Sequence, residues 1–567
     1  MGIIADKVYK NGVIYTMDDR DSVATTIAIK GDTIIYVGDE DGVCDFVNGK
    51  TIVIDLEGKM VTPGFLNGHE HVASYEKQRR VSLMLNDTAE QPSIHRYICM
   101  IRDYIRANPG EDILLCKGLN LNVFGENIPD NKWLNDNFPD KPIVMADESI
   151  HGMLLNQKAM DVIGITRDTP VPEGGMFHKY NDGELTGFFA DCRSLVMDHV
   201  NFFGEFFGTF DSEHPLDHPV YRDAFEEFQT LANSYGITGV NDGSDGHPNT
   251  WNFFNEYSKT GKMSMRLNLP YMTGFGPLGE QVEEIKAVME EGKKYCSDYL
   301  NVNQIKHQMD GTVEGKTALL LAPYEAAAEM GDSYYGEQYS TQEELNAFVQ
   351  QMDAAGYQVM IHSIGDGACR ACRVAFENAI RTNGYHDARH TIVHACLMDD
   401  EDIMLAGKLG IYVSIQPIWA YNAPQFSDLE RRLLGEERYM SEYKMRSMLE
   451  AGIVMSGGAD YNVTQDFSPL SAIQCGVTHS SPYPVECDNP AFARNPEQGI
   501  SAYDMLKVYT INCAKQMFME DIIGSLAIGK KADMVILEKD ITKIDPKEIS
   551  STKICTTIFG GEVVYES

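Results

Sequence analysis

The chain of 567 residues carries 84 Asp and Glu against 47 Lys and Arg, a net charge of −37, with 43% apolar residues. That apolar share suits a packed protein and excludes general disorder, while the length calls for several domains or one large barrel with additions. So negative a surface repels phosphate backbones and anionic membranes, whose binding needs Lys and Arg to displace counterions, so neither nucleic acid nor a membrane is expected as a partner.

The N-terminal residues MGIIADKVYKNG lack the basic start and apolar stretch of a signal peptide. No run reaches the ~20 apolar residues of a membrane span. Twelve cysteines are scattered singly apart from Cys369 and Cys372, which fits reduced thiols and a cytoplasmic location. A homo-oligomer such as a dimer is compatible with this composition.

Residues 1–62 alternate short apolar runs with turns (VIYTMDD, TIAIKGDTIIYVGDE, KTIVIDLEGK), and residues 517–567 resume that style (GSLAIGKKADMVILEKD, ICTTIFGGEVVYE). The two ends are expected to form one composite β-sandwich domain. Between them, residues 63–516 follow another rhythm. Apolar runs ending in polar or Gly residues precede helical stretches: KPIVMADE, GITGVNDGS, VNQIKHQMDG, YQVMIHSIGDG, RHTIVHAC, GIYVSIQP and GIVMSGGAD. Strand–helix alternation implies a parallel sheet and, at this length, an α/β fold of the (β/α)₈ TIM-barrel type. Residues 76–215 exceed one βα connection and predict an inserted subdomain.

The first barrel strand reads MVTPGFLNGHEHV, in which His69 and His71 lie two apart and so share one face of an extended strand. Two imidazoles fixed on one side make a half-site for Zn²⁺ or a similar ion, although a lone H-x-H also arises by chance. His362 ends YQVMIH, His394 ends TIVH and Asp460 follows GIVMSGGA. In a parallel barrel the C-terminal strand ends meet at one mouth, so these donors converge. Lys306 lies on the strand before His362. An ammonium cannot ligate, so Lys306 joins a metal site only as a CO₂ adduct, and otherwise serves as a salt-bridge partner of Asp310 or another carboxylate.

VTPGFLNGHEHV, the strand-end His362, His394 and Asp460, and GSLAIGKKADMVIL together resemble the amidohydrolase superfamily over the whole chain. NGVIYTMD, NQKAMDVIGI, IKHQMDGTVEGKTALLLAPY and HSIGDGA are similar to its YtcJ-like branch, which includes N-substituted formamide deformylase. The resemblance implies that His69 and His71 hold a buried metal completed by Asp460. It also implies that His362 and His394 hold a second metal bridged by carboxylated Lys306, and that Asp460 shuttles the proton. One or two zinc ions are expected, other divalent metals being allowed. Five positions depart from the pattern: Asn67 replaces an Asp, Val393 a Glu, Ala459 a Ser, and Gly367 and His479 each an Arg.

Weaker signals complete the reading. His151 is a candidate catalytic donor that polarises the substrate, or a structural loop histidine. Asp310 either orients the site or caps the helix that follows it. Phe202, Phe203, Phe206, Phe207 and Phe210 form an aromatic lid or a buried helix face. Cys369 and Cys372 have redox spacing but read as core cysteines. Gly365-Asp366-Gly367 lacks the continuation of a phosphate loop, and no G-x-S-x-G elbow is present. The leading expectation is a metal-dependent enzyme hydrolysing a C–N, amide-type bond of a small molecule. The alternatives are a catalytically silent barrel scaffold, or an esterase or isomerase on the same site.

Overall fold

The structure, a computed structural model, describes residues 3–567 except 87–90, 111, 126–128, 150, 173–174, 198, 201–213, 244–245, 274–276, 326–332 and 462. The Phe-rich segment from Phe202 to Phe210 lies outside the described residues.

Eight strands form the barrel: β1 (Phe65–Glu70), β2 (Ile237–Asp242), β3 (Arg266–Asn268), β4 (Gln304–Gln308), β5 (Gln358–Ser363), β6 (Thr391–His394), β7 (Tyr412–Ile415) and β8 (Met455–Gly457). All printed pairings among them are parallel. The strands fall in two sheets, each ending in a short extension: Leu300–Asn301 pairs with β3, and Tyr271–Met272 pairs with β4. The last strand returns against the first at Gly68, where a Cβ would meet the Ser456 side chain at 2.8 Å, so only glycine permits this approach. Every residue of β1, β2, β5 and β6 is buried, as expected for strands covered on both faces. Amide side chains cross the interior: Asn268 Nδ2 donates to Asn241 Oδ1 at 2.6 Å, and Gln304 Nε2 to Gln358 Oε1 at 2.7 Å.

Two strand assignments change. KPIVMADE forms Ile143–Asp147, which belongs to a separate six-stranded sheet. The barrel strand in its stead is β3, a three-residue element holding Arg266 and ending near Pro270. It is not among the runs that the apolar pattern picks out. Arg266 is buried because it meets Asp533 in a bidentate pair, Nε–Oδ2 2.6 Å and Nη2–Oδ1 3.0 Å.

The separate sheet is drawn from residues 83–190, in the order Met176–Lys179, Leu185–Ala190, Gly152–Leu155, Ile143–Asp147, Leu114–Leu119, Leu83–Met84. It has an apolar core on each side, one built around Met153 and Phe189, the other around Tyr97, Ile101 and Phe188 beneath helix Ile94–Ala107. The chain termini build two further sheets. One joins Thr33–Gly38, Thr26–Lys30, Lys7–Lys10 and Ile52–Asp55; the other joins Glu562–Glu566, Ile554–Phe559, Met534–Leu537, Met60–Pro63, Val13–Tyr15 and Val23–Ala24. Tyr9, Ile27 and Ile34 of the first share a core with Ile14, Met534 and Ile558 of the second. Met60–Pro63 runs directly into the N-terminal end of β1, tying the terminal sheets to the end of the barrel away from its mouth. Among the described residues no helix is long and apolar enough to cross a membrane, and all twelve cysteines are free thiols.

Candidate metal centre

The polar residues at the strand ends gather in a cavity of about 430 Å³ lined by His69, His71, His151, Lys306, His362, His394 and Asp460. The alternating side chains of β1 send His69 and His71 to the same side. Their Nε2 atoms lie 3.4 Å and 2.9 Å from Asp460 Oδ1. The ring of His394 is 5.1 Å from that of His69 and 4.5 Å from that of His362. Among the described residues, the donor atoms of His69, His394 and Asp460 all fall within 4.8 Å of one another. His394 thus stands between His69 and Asp460 on one side and His362 on the other. His394 and Asp460 both adopt left-handed backbone, with φ of 74° and 55°. Such conformations cost about 1–3 kcal/mol each and concentrate at functional sites.

The protonation states favour metal binding. Burial, with the field of Lys306, lowers His69 to about 4, and burial with neighbouring histidines or Lys306 lowers His362 and His394 well below the ordinary range. These rings are therefore neutral and have lone pairs to offer. Burial opposes ionisation of Asp460, but His69 and His71 outweigh it and hold the carboxyl well below the usual range. Lys306 is lowered to about 7 by burial, against the pull of Asp460 and Asp242.

Hydrogen bonds fix which nitrogen is free. His394 Nδ1 donates to Gln416 Oε1 at 2.8 Å, leaving the Nε2 lone pair free. His362 Nε2 faces the Gly311 carbonyl at 3.2 Å, which leaves Nδ1. His69 Nδ1 is buried with no hydrogen-bond partner among the described residues, and Asp460 Oδ1 faces the imidazoles of His69 and His71. Imidazoles and a carboxylate converging on one point fit a cation, and a His/Asp set fits a borderline ion such as zinc.

His151 comes from the separate sheet and reaches the mouth of the barrel, its ring 5.3 Å from that of His362. Its Nδ1 lies 2.5 Å from Asp191 Oδ1, which leaves Nε2 free toward the cavity. Asp310 does not cap the helix that follows it. It is fully buried and accepts from the backbone N–H groups of Leu319, Ile364 and Gly365, pinning the loop after His362. Nor does it pair with Lys306. Asn67 donates to Glu70 Oε2 at 2.6 Å, so Glu70 supplies the carboxylate beside β1. Gly367 starts helix Asp366–Asn383 against the Leu319 carbonyl, where a Cβ would sit at 2.9 Å. His479 is buried away from the metal cavity, with Nδ1 3.1 Å from the Arg494 carbonyl.

Three participants escaped the sequence reading. Gln416 ends the run GIYVSIQ, the same strand-end signal that exposed His362 and His394. Asp191 follows Leu185–Ala190 outside the barrel, where that rule has no force. Trp419, stacked on His394 at 5.6 Å, sits on a short turn that pattern alone does not place.

The amidohydrolase family matches residues 52–565. The chain belongs to the amidohydrolase family. It is therefore a metal-dependent hydrolase acting on C–N bonds. The YtcJ protein of Bacillus subtilis, named an amidohydrolase, is 27% identical over 99% of this chain and 99% of its own length. The N-substituted formamide deformylase of Arthrobacter pascens is 22% identical, covering 99% of this chain and 98% of its own. A metal-dependent hydrolase from Pyrococcus horikoshii shares the fold with a TM-score of 0.67 at 21% identity, covering 95% of this chain and 99% of that one.

Proposed function

We propose that the chain hydrolyses an amide-type C–N bond of a small molecule, with Asp460 as the proton shuttle. The observation that carries this reading is the convergence of the buried His69, His394 and Asp460, whose donor atoms all lie within 4.8 Å of one another. These three residues, with His71 adjacent to Asp460, would hold a zinc ion. His362 and a carboxylated Lys306 would hold a second one. Bound there, zinc supplies Lewis acidity and brings the pKa of water toward about 7.

The chain's own groups do the remaining work. Asp460 Oδ1 takes the proton from the attacking water and passes it to the nitrogen, because an unprotonated amine leaves poorly. In its doubly protonated form His151, with Nδ1–H held by Asp191, donates Nε2–H to the carbonyl oxygen as negative charge builds there. Lys306 carries a large neutral fraction near pH 7, as its lowered pKa dictates, and a neutral amine is the form that adds CO₂. The cavity, of about 430 Å³ and lined in part by Trp419 and Arg193, suits a substrate of small-molecule size.

The test is turnover of a panel of formamides, lactams, N-acyl amino acids and cyclic imides by zinc-loaded protein and by its Asp460→Asn variant. The wild-type chain should cleave one class, and the variant should lose at least about 10³ in kcat while retaining its circular dichroism spectrum. Undiminished turnover by the variant refutes the shuttle. A protein that neither carries nor takes up stoichiometric zinc refutes the hydrolase reading in favour of a silent scaffold.

A further inference from the structure

A second cavity, of about 690 Å³, adjoins the metal cavity and shares Thr312, Ile364 and Trp419 with it as walls. Glu314, Glu430 and Glu442 line it. Glu442 is 1% exposed and Glu430 9%. One cation lies among them: Arg494 Nη1 bonds Glu442 Oε2 and stands 3.6 Å from Glu430 Oε2. Arg494 is committed to the protein itself, since Nη2 donates to the Trp419 carbonyl and the guanidinium covers the rings of Tyr439 and Tyr443 at 4.6 and 4.8 Å.

The acids outnumber this cation. Glu442 Oε1 is buried and makes no hydrogen bond among the described residues. Glu314 has no ion-pair partner among them either. It is pushed up to about 8 by burial and by the charge of Glu430, the signature of carboxylates confined together without enough positive charge. A bare metal ion does not suit the arrangement, because the donor set that converges within 4.8 Å among the described residues is that of His69, His394 and Asp460. The walls are aromatic as well as acidic: Trp419, Tyr421 and Tyr483 line the same space. Carboxylates combined with aromatic faces recognise an organic cation, through charge and through the ring quadrupole.

We propose that this second cavity binds a protonated amine, so that substrates of the neighbouring metal site carry an ammonium group on the side away from the scissile bond. The substrate class rests on the hydrolase reading; the affinity of the cavity for an ammonium ion does not.

Calorimetry on the zinc-loaded protein at pH 9, where Glu314 is ionised and the amine is still largely protonated, compares 2-phenylethylammonium with 2-phenylethanol, which matches it in shape without the charge. The ammonium ion should bind at least about tenfold more tightly, a ratio expected when a buried carboxylate gains its counter-charge. E314Q should cut that ratio about tenfold, and E430Q reads the same effect should E314Q fail to fold. Equal binding of the two probes, or a ratio unchanged in both variants, overturns the proposal. In turnover, amides ending in an ammonium group should exceed their hydroxyl counterparts in kcat/KM, with the ratio falling in E314Q. Binding preference without turnover of any amide would sustain the cavity assignment while overturning the hydrolase reading.

Discussion

Replacing Gln416 by methionine removes one hydrogen bond and little else. Its Oε1 holds His394 Nδ1–H at 2.8 Å, whereas its Nε2 is buried without a partner among the described residues, so losing that end of the amide costs nothing further. In Gln416→Met the His394 Nδ1–H has no acceptor, at a cost of about 1–3 kcal/mol for a buried unsatisfied donor. The alternative is a flip to the other tautomer, which puts the proton on Nε2 and blocks the ligand atom. Either route weakens the metal, and a supporting hydrogen bond of this kind is worth about 10–100-fold in affinity, or about 1.4–2.8 kcal/mol. Competition with a chromogenic chelator measures the zinc dissociation constant, and urea titration with and without zinc measures stability. The variant should show the affinity loss, and its zinc-dependent gain in stability should shrink by a matching amount. If zinc affinity and both stabilities are unchanged, His394 does not ligate through Nε2 and the proposed centre is wrong.

Further outcomes follow from other contacts. Lys306→Ala should lose at least about 10² in kcat, and short carboxylic acids added to the assay should restore part of it; rescue by ethylamine instead would show that an amine, not a carboxylate, is needed. Asp191→Asn should lower kcat about 10²-fold with zinc content intact by elemental analysis, because it frees the His151 ring without touching a ligand. Asp533→Ala leaves the Arg266 guanidinium, 3% exposed, without its charge partner and should cost about 3–5 kcal/mol in denaturant titration. Asp353 is held down at about 2 by hydrogen bonds from His390 and Asn383 that outweigh its burial. Because its folded pKa is depressed, its contribution is complete above about 4 and vanishes as pH falls toward about 2, so the stability deficit of Asp353→Asn should close across that window.

The strand-end rule explains which parts of the site could be read in advance. His69, His71, His362, His394 and Asp460 lie at strand C-termini, and the mouth of a parallel barrel is the one place where such residues must meet. Their partition was not legible. Which imidazole joins which depends on left-handed backbone at His394 and Asp460 and on Gln416, and no periodicity encodes those. The strand holding Arg266 was hidden for a related reason: its charge is neutralised by Asp533, 267 residues away. Conversely KPIVMADE has every property of a buried parallel strand, and it is one, in the other sheet. Local pattern specifies the kind of strand but not the sheet that receives it.

His151 and Asp191 belong to a unit with its own apolar cores, whereas His69, His394 and Asp460 belong to the barrel. Under the proposed function, holding the ion and moving the proton fall to the barrel, while polarising the substrate falls to the smaller body. Mild denaturant that loosens the smaller body first should leave protein that retains its zinc and has fallen silent. By the same division, a different insertion on the same barrel could redirect the enzyme to new substrates while its hydrolytic chemistry passed through unaltered.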